Sequence, residues 1–215
     1  GVDAASDGDS ILVSAGLYVE TLTIGKSLSL IGADADDCEI YGASGSATIT
    51  VSSFLGNSVQ IEGFRVSWVG SVPNGIEIAA NNVDVYIRKC IIQKTNYTGS
   101  NFYNGIYRNT GGTGNIFIEN CIINVEGAGF PRCTDIDGGN AVYAVNSIFY
   151  GGELGVFVQN AIIYLFNNVI FNNVIGVNSS QGTCISMYNN VWNNSGQNWV
   201  SGDGPGTGDI SENPL

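Results

Sequence analysis

One short phrase recurs along the chain with conservative changes: VQIEGFRV, VYIRKCII, IFIENCII, VYAVNSIF, IYLFNNVI and ISMYNNVW. A phrase that returns every 20 to 30 residues or so builds a stack of like units, because the apolar face of each unit is covered only by its neighbour. Gly63, Lys89, Asn120, Asn146, Asn167 and Asn189 stand at the centre of the phrase, so the intervals between them are coil lengths and the loops absorb the variation.

Strands send alternate side chains to opposite faces, which allows the columns to be sorted. Val59, Val85, Ile116, Val142, Ile163 and Ile185 stand four before the centre, and Ile61, Ile87, Ile118, Ala144, Leu165 and Met187 two before it. These columns form the predicted core. Between them Gln60, Tyr86, Phe117, Tyr143, Tyr164 and Ser186 face outward. Asn suits the centre because it tolerates left-handed backbone angles and its amide can bond to the same amide one coil away. A second column, Gly75, Gly105, Gly129, Gly155 and Gly176, marks where each coil bends. No helical period competes, so the reading is an all-β, single-domain parallel β-helix of about seven or eight coils over residues 1–215, open to being part of a longer chain.

The opening DGDSILVSAGLYVETLTIGKSLSLIGA, the IENCII-type rungs and the closing GDISENPL resemble right-handed parallel β-helix proteins of the pectate-lyase-like superfamily. The resemblance implies the right-handed sense and leaves activity open, because the group includes polysaccharide lyases, hydrolases, esterases and non-catalytic proteins. Its hydrolases combine clustered aspartates with a histidine, and this chain has no histidine. Its lyases imply Ca²⁺ held by carboxylates, with an Arg or Lys as base. The only stretch that offers such groups is FPRCTDIDGG. Counted from the glycine column, Arg108 and Arg132 fall at the same position on successive coils, with Asp135 or Asp137 as the anion between them. Replacing either arginine is expected to weaken folding, because the packed partner is left unsatisfied.

Charge bounds the partners. A net charge of −12 disfavours nucleic acid and anionic lipid, and no apolar run is long enough to insert into a bilayer. The chain begins in mid-motif, so a missing leader does not argue for the cytoplasm, and an extracellular or cell-surface location is expected. The five cysteines lack zinc spacings. Cys90 and Cys121 are predicted to be unlinked inward fillers in one column with Ser147, Asn168 and Asn190, whereas the pairing of Cys38, Cys133 and Cys184 stays open. Asn96, Asn178 and Asn193 open N-x-S/T triplets, a pattern that chance supplies often in so Asn-rich a chain.

Two outward columns suggest surfaces. Tyr86, Phe117, Tyr143 and Tyr164 offer a platform for sugar rings or a ladder that stabilises adjacent strands. Ile91, Ile122, Ile148, Val169 and Val191 make an apolar stripe that fits self-association or a covering loop. The leading reading is therefore a non-catalytic structural or adhesive module that binds copies of itself or a polysaccharide without a cofactor. The alternative is a Ca²⁺-dependent polysaccharide lyase or related carbohydrate-active enzyme using Arg108, Arg132, Asp135 and Asp137.

Overall fold

The computed structural model describes residues 1–52, 58–68, 72–80, 82–94, 102–108, 112–200 and 204–213. After a short 3₁₀ turn at Val2–Ala4, the described chain winds through three parallel sheets of eight strands each, every coil contributing one strand to each sheet. The first sheet begins with Asp9–Val13 and ends with Thr183–Met187; the second runs from Gly16–Val19 to Asn190–Trp192, and the third from Leu22–Ile24 to Gln197–Trp199. Eight coils result, within the expected seven or eight.

The core is the stack of inward columns. Val59, Val85 and Ile116 pair in series on the first sheet, as do Ile61, Ile87 and Ile118, and all six are fully buried. Lys89, Asn120, Asn146 and Asn167 hold φ values between 50 and 56°, the left-handed corner that the phrase predicts. Asn167 donates from Nδ2 to Asn146 Oδ1 at 2.6 Å on the outside of this corner.

The last coil departs from the predicted alignment by one residue. Tyr164 pairs with Ile185, Leu165 with Ser186 and Phe166 with Met187, so Tyr188 occupies the left-handed corner in place of Asn189. Met187 is thereby exposed and Asn189 buried. The shift places Asn189 where its amide completes an interior ladder. Ser147 N–H donates to Asn168 Oδ1, Asn168 N–H and Nδ2 both donate to Asn189 Oδ1, and Asn189 N–H and Nδ2 both donate to Asp209 Oδ1. Cys90 and Cys121 are buried free thiols at the same corner in earlier coils, as expected, but the residue that continues their column is Asn189 and not Asn190. Among the described residues Cys38, Cys90, Cys121 and Cys133 form no disulfide.

Other columns are also corrected. Val191 pairs with Ile170 and is fully buried, so it is not part of the outer stripe; Asn190 takes that place and donates to Glu212 O. The stripe that remains is Ile91, Ile122, Ile148 and Val169, in series on the second sheet. The glycine row runs through Gly75, Gly105, Cys133, Gly155 and Gly176, with Gly129 outside it. A Cβ on Gly75 would come within 2.6 Å of the Trp68 ring and 2.8 Å of Gly105 O, which is why the row admits so few side chains.

The interior ladder gives a stability test. Asn189→Ala would leave the Asn168 N–H and amide without their acceptor in a buried site, at about 1–3 kcal/mol for each unsatisfied group. The expected result is a fall in Tm of roughly 5–10 °C, at about 2–4 °C per kcal/mol for a chain of this size. Asn167→Gly, which keeps the left-handed corner but removes an exposed ladder bond, should change stability by less than about 1 kcal/mol. Equal losses in both melts would refute a special role for the interior ladder.

Candidate functional site

Backbone pairing in the third sheet skips the glycine row: Asn104 pairs with Asn74 and Ile106 with Ile76, without Gly105 and Gly75 between them. Alternation restarts after the break, so residues on either side of it, three apart in sequence, share the outer face. That is how Arg132 and Asp135 come to form an ion pair at 2.7 Å within one strand, Phe130–Asp137.

Two outward rows result. Asn74, Asn104 and Arg132 lie in register, and so do Glu77, Tyr107, Asp135 and Phe157. Asn104 Nδ2 donates to Asn74 Oδ1 at 2.9 Å, while Asn104 Oδ1 and Arg132 Nε have no hydrogen-bond partner although both are buried. The Arg132 guanidinium also lies 5.0 Å from the Phe102 ring and 4.9 Å from that of Phe157. With Pro73 and Ser46, these side chains other than Phe157 line a cleft of about 530 Å³.

Electrostatics in the cleft are balanced between opposing causes. Burial raises the pKa of Asp135 and the charge of Asp137 adds to this, whereas the Arg132 guanidinium pulls it down. Burial also raises the Tyr107 phenol, reinforced by Asp135, Glu77 and Asp137, so Tyr107 stays a protonated donor. Asp137 accepts from Asn160 Nδ2 at 2.7 Å. The cleft thus presents the Asp135 carboxylate held by a guanidinium, a second carboxylate at Glu77, the Tyr107 phenol donor and the Phe102 ring.

Arg108 does not belong to this site. It pairs in register with Ile78 and Ile136, its side chain points into the coil, and it is 1% exposed. Arg108 Nη1 donates to Gly114 O at 2.7 Å, and among the described residues no carboxylate forms an ion pair with it. Space for it comes from Gly112, where a Cβ would stand 1.9 Å from Nη2. The expected stacking of Arg108 on Arg132 therefore fails, because Cys133 and not Gly129 continues the glycine row. The phrases NGIEI, NGIYR, RCTDI and LGVFV align without gaps, and this is the signal that would have brought Glu77, Asn104 and Tyr107 to the site. As for the carboxylates proposed to bind Ca²⁺, Asp135 faces Arg132 and Asp137 faces Asn160, and among the described residues no group of three His, Cys, Asp or Glu comes together.

The aromatic column is present on the first sheet. Tyr86, Phe117, Tyr143 and Tyr164 stack at centroid separations of 4.5, 4.9 and 4.7 Å, nearly parallel. Their faces are given to one another, and Arg88 lies against Tyr86, so a sugar would meet ring rims and phenol groups rather than an open face. A second ladder, Tyr150, Phe171 and Trp192, stacks on the second sheet. Of the N-x-S/T triplets, Asn178 Oδ1 accepts from Ser180 N–H, Asn193 Nδ2 donates to Asn172 Oδ1, and Asn96 lies outside the described residues. Among the described residues no helix is long and apolar enough to cross a membrane.

No protein-family model and no curated protein sequence matches the chain. Solved structures do. A pectin methylesterase from Yersinia enterocolitica is 11% identical with a TM-score of 0.50, over 93% of this chain and 79% of that one. One from Aspergillus niger in deglycosylated form is 15% identical with a TM-score of 0.45, over 99% and 84%. The chain shares the right-handed parallel β-helix fold of the Yersinia structure.

The buried arginine separates structure from site. Arg108→Ala removes a fully buried side chain and leaves the Gly114 carbonyl without its donor, so a loss of about 3 kcal/mol or more is expected, seen as a Tm lower by roughly 6–12 °C. Arg132→Ala, on the half-buried face, should lower Tm by less than half as much. The reverse order would contradict the assignment of Arg108 to the interior.

Proposed function

We propose that this chain is a carbohydrate-active enzyme that hydrolyses an ester carried by an uncharged stretch of polysaccharide, at the cleft on the third sheet. The Arg132–Asp135 pair carries this reading: a carboxylate whose pKa burial raises, held by a guanidinium at 2.7 Å, opens onto a cleft with aromatic walls. Asp135 would take a proton from a water as that water adds to the ester carbonyl, and Arg132 and Tyr107 would donate to the developing oxyanion. As the tetrahedral intermediate collapses and the C–O bond breaks, Asp135 would give that proton to the leaving alcohol, so that water and ester become acid and alcohol and the carboxylate is restored. Esters suit the cleft because Glu77, Asp135 and Asp137 already crowd it with negative charge in a chain of net charge −12, which repels a free uronate. Pectin methylesterases share the fold, so methyl-esterified pectin is the first substrate to test, and an extracellular or cell-surface setting belongs to the same proposal.

Released methanol, measured on esterified pectin, should fall by about 10²–10⁴-fold in Asp135→Asn with the melting curve unchanged. Activity needs ionised Asp135, so it should be lost as the pH drops through a value above the ordinary aspartate range. Arg132→Gln removes the group that lowers this pKa and should move the acid limb to higher pH. An active Asp135→Asn enzyme would overturn the assignment.

The stripe of Ile91, Ile122, Ile148 and Val169 favours a second reading, lateral self-association, because Ile122 keeps 36% exposure in a row of β-branched neighbours. Light scattering over a concentration series should show an assembled wild type and a folded monomer for Ile122→Asp/Ile148→Asp. A wild type that stays monomeric would reject it.

A further inference from the structure

Gly42, Trp68 and Lys94 stand in register on the inner side of the second sheet, and Lys94 is only 4% exposed. An ammonium is costly to place in a core, because burial strips its hydration. Lys94 Nζ donates to the Val72 carbonyl at 3.0 Å and lies 4.1 Å from the centre of the Tyr103 ring and 5.6 Å from that of Trp68, both of them buried. The negative faces of desolvated rings hold a cation in such a place. These contacts join the starts of two neighbouring strands of the third sheet. Val72 precedes Pro73 and Asn74, Tyr103 stands between Phe102 and Asn104, and all four of those flanking residues line the cleft of Arg132 and Asp135. On the outer side the same two starts are tied by Asn104 N–H to Pro73 O at 2.7 Å and by Asn104 Nδ2 to Asn74 Oδ1.

Resting on the reading of this cleft as the ester-hydrolysing site, we infer that Lys94 is a positioning residue behind it: the ammonium fixes the strand starts that carry Pro73, Asn74, Phe102 and Asn104, and a change in its charge alters the cleft. Burial lowers the pKa of Lys94 from an ordinary 10.5 to about 8. Among the strands packed against Ile91–Lys94, the titratable side chains that point inward are Tyr103 and Arg108, at opposite ends of one strand, whereas Arg65, Glu77 and Tyr107 point outward. Once neutral, the amine is a weaker donor to Val72 O and loses its attraction to the rings. Burial moves the Tyr107 phenol and the Cys133 thiol upward, so a loss of function as the pH rises through about 8 belongs to Lys94. Folding responds with the opposite sign. Because the folded-state pKa lies below the unfolded one, the lysine's contribution to stability is greatest above pH 10.5 and is lost as the pH falls toward about 8. Alkaline pH thus favours the fold while it weakens the cleft, a contrast that packing alone does not give.

The chain has three lysines, Lys26, Lys89 and Lys94, so NMR of the lysine Cε carbons reads this charge directly in the full chain. The Lys94 signal, identified by its loss in Lys94→Met, should titrate with a midpoint of about 8. The side-chain amide signals of Asn74 and Asn104 should move with the same midpoint in the wild type and stay still in Lys94→Met. Methanol release from esterified pectin should fall through the same pH, and Lys94→Arg, whose charge persists, should move that alkaline limb up by more than about one pH unit. A Lys94 midpoint at the ordinary lysine value, cleft amides that ignore its titration, or an alkaline limb unchanged in Lys94→Arg would each overturn the inference. Should the variants misfold, the wild-type titration of Lys94 against Asn74 and Asn104 still decides. Amides that follow Lys94 in a chain that releases no methanol at any pH would uphold the coupling and reject the ester reading.

Discussion

Each coil is held to the next by parallel backbone hydrogen bonds, so every side chain has a counterpart about 4.8 Å away on the coil before and the coil after. This spacing governs the whole molecule. Apolar columns such as Val59, Val85 and Ile116 become continuous, flat rings stack nearly parallel, and amides align for bonding from coil to coil. It also sets a restriction. A residue that tolerates its own kind directly above and below repeats freely, whereas like charges do not, and the outward column that carries Glu62, Arg88 and Glu119 accordingly alternates in sign.

Interior amide ladders have a direction. From Ser147 through Asn168 to Asn189, each residue donates to the side-chain oxygen of the next, and Asp209 ends the run with a carboxylate that only accepts. Asp209 also accepts from Gly206 N–H, which ties the segment after the last coil to the ladder. In the last coil Asn189, one residue away from the alignment the phrase suggests, supplies the acceptor for the Asn168 N–H and amide, and Met187 is exposed.

Period, inward columns, coil number and the aromatic column were legible in the sequence because they depend on repetition, and repetition survives variable loops. The site was half legible. FPRCTDIDGG stood out by its charges, and Asp135 does pair with Arg132, but their neighbours come from other coils whose register turns on one substitution, Cys133 for glycine. Gly129 occupies a nearby position in sequence and draws the alignment four residues away, which made Arg108 look like a partner of Arg132. Val191 was misplaced for a related reason: in a period-two strand a slip of one residue exchanges the faces, so a small error in register becomes a full error in exposure.

The same break in the ladder that misled the alignment makes the site. In an uninterrupted strand Arg132 and Asp135 would point to opposite faces, three residues apart, and the guanidinium would enter the core as Arg108 does. Skipping the Cys133 position turns both outward and sets a cation beside a carboxylate whose pKa burial raises. One arginine in the cleft, opposed by Glu77, Asp135 and Asp137, is enough to hold a carboxylate and too little to attract an anion. In a chain of net charge −12, the Phe102 ring adds apolar surface to a cleft whose charges are already matched or in negative excess.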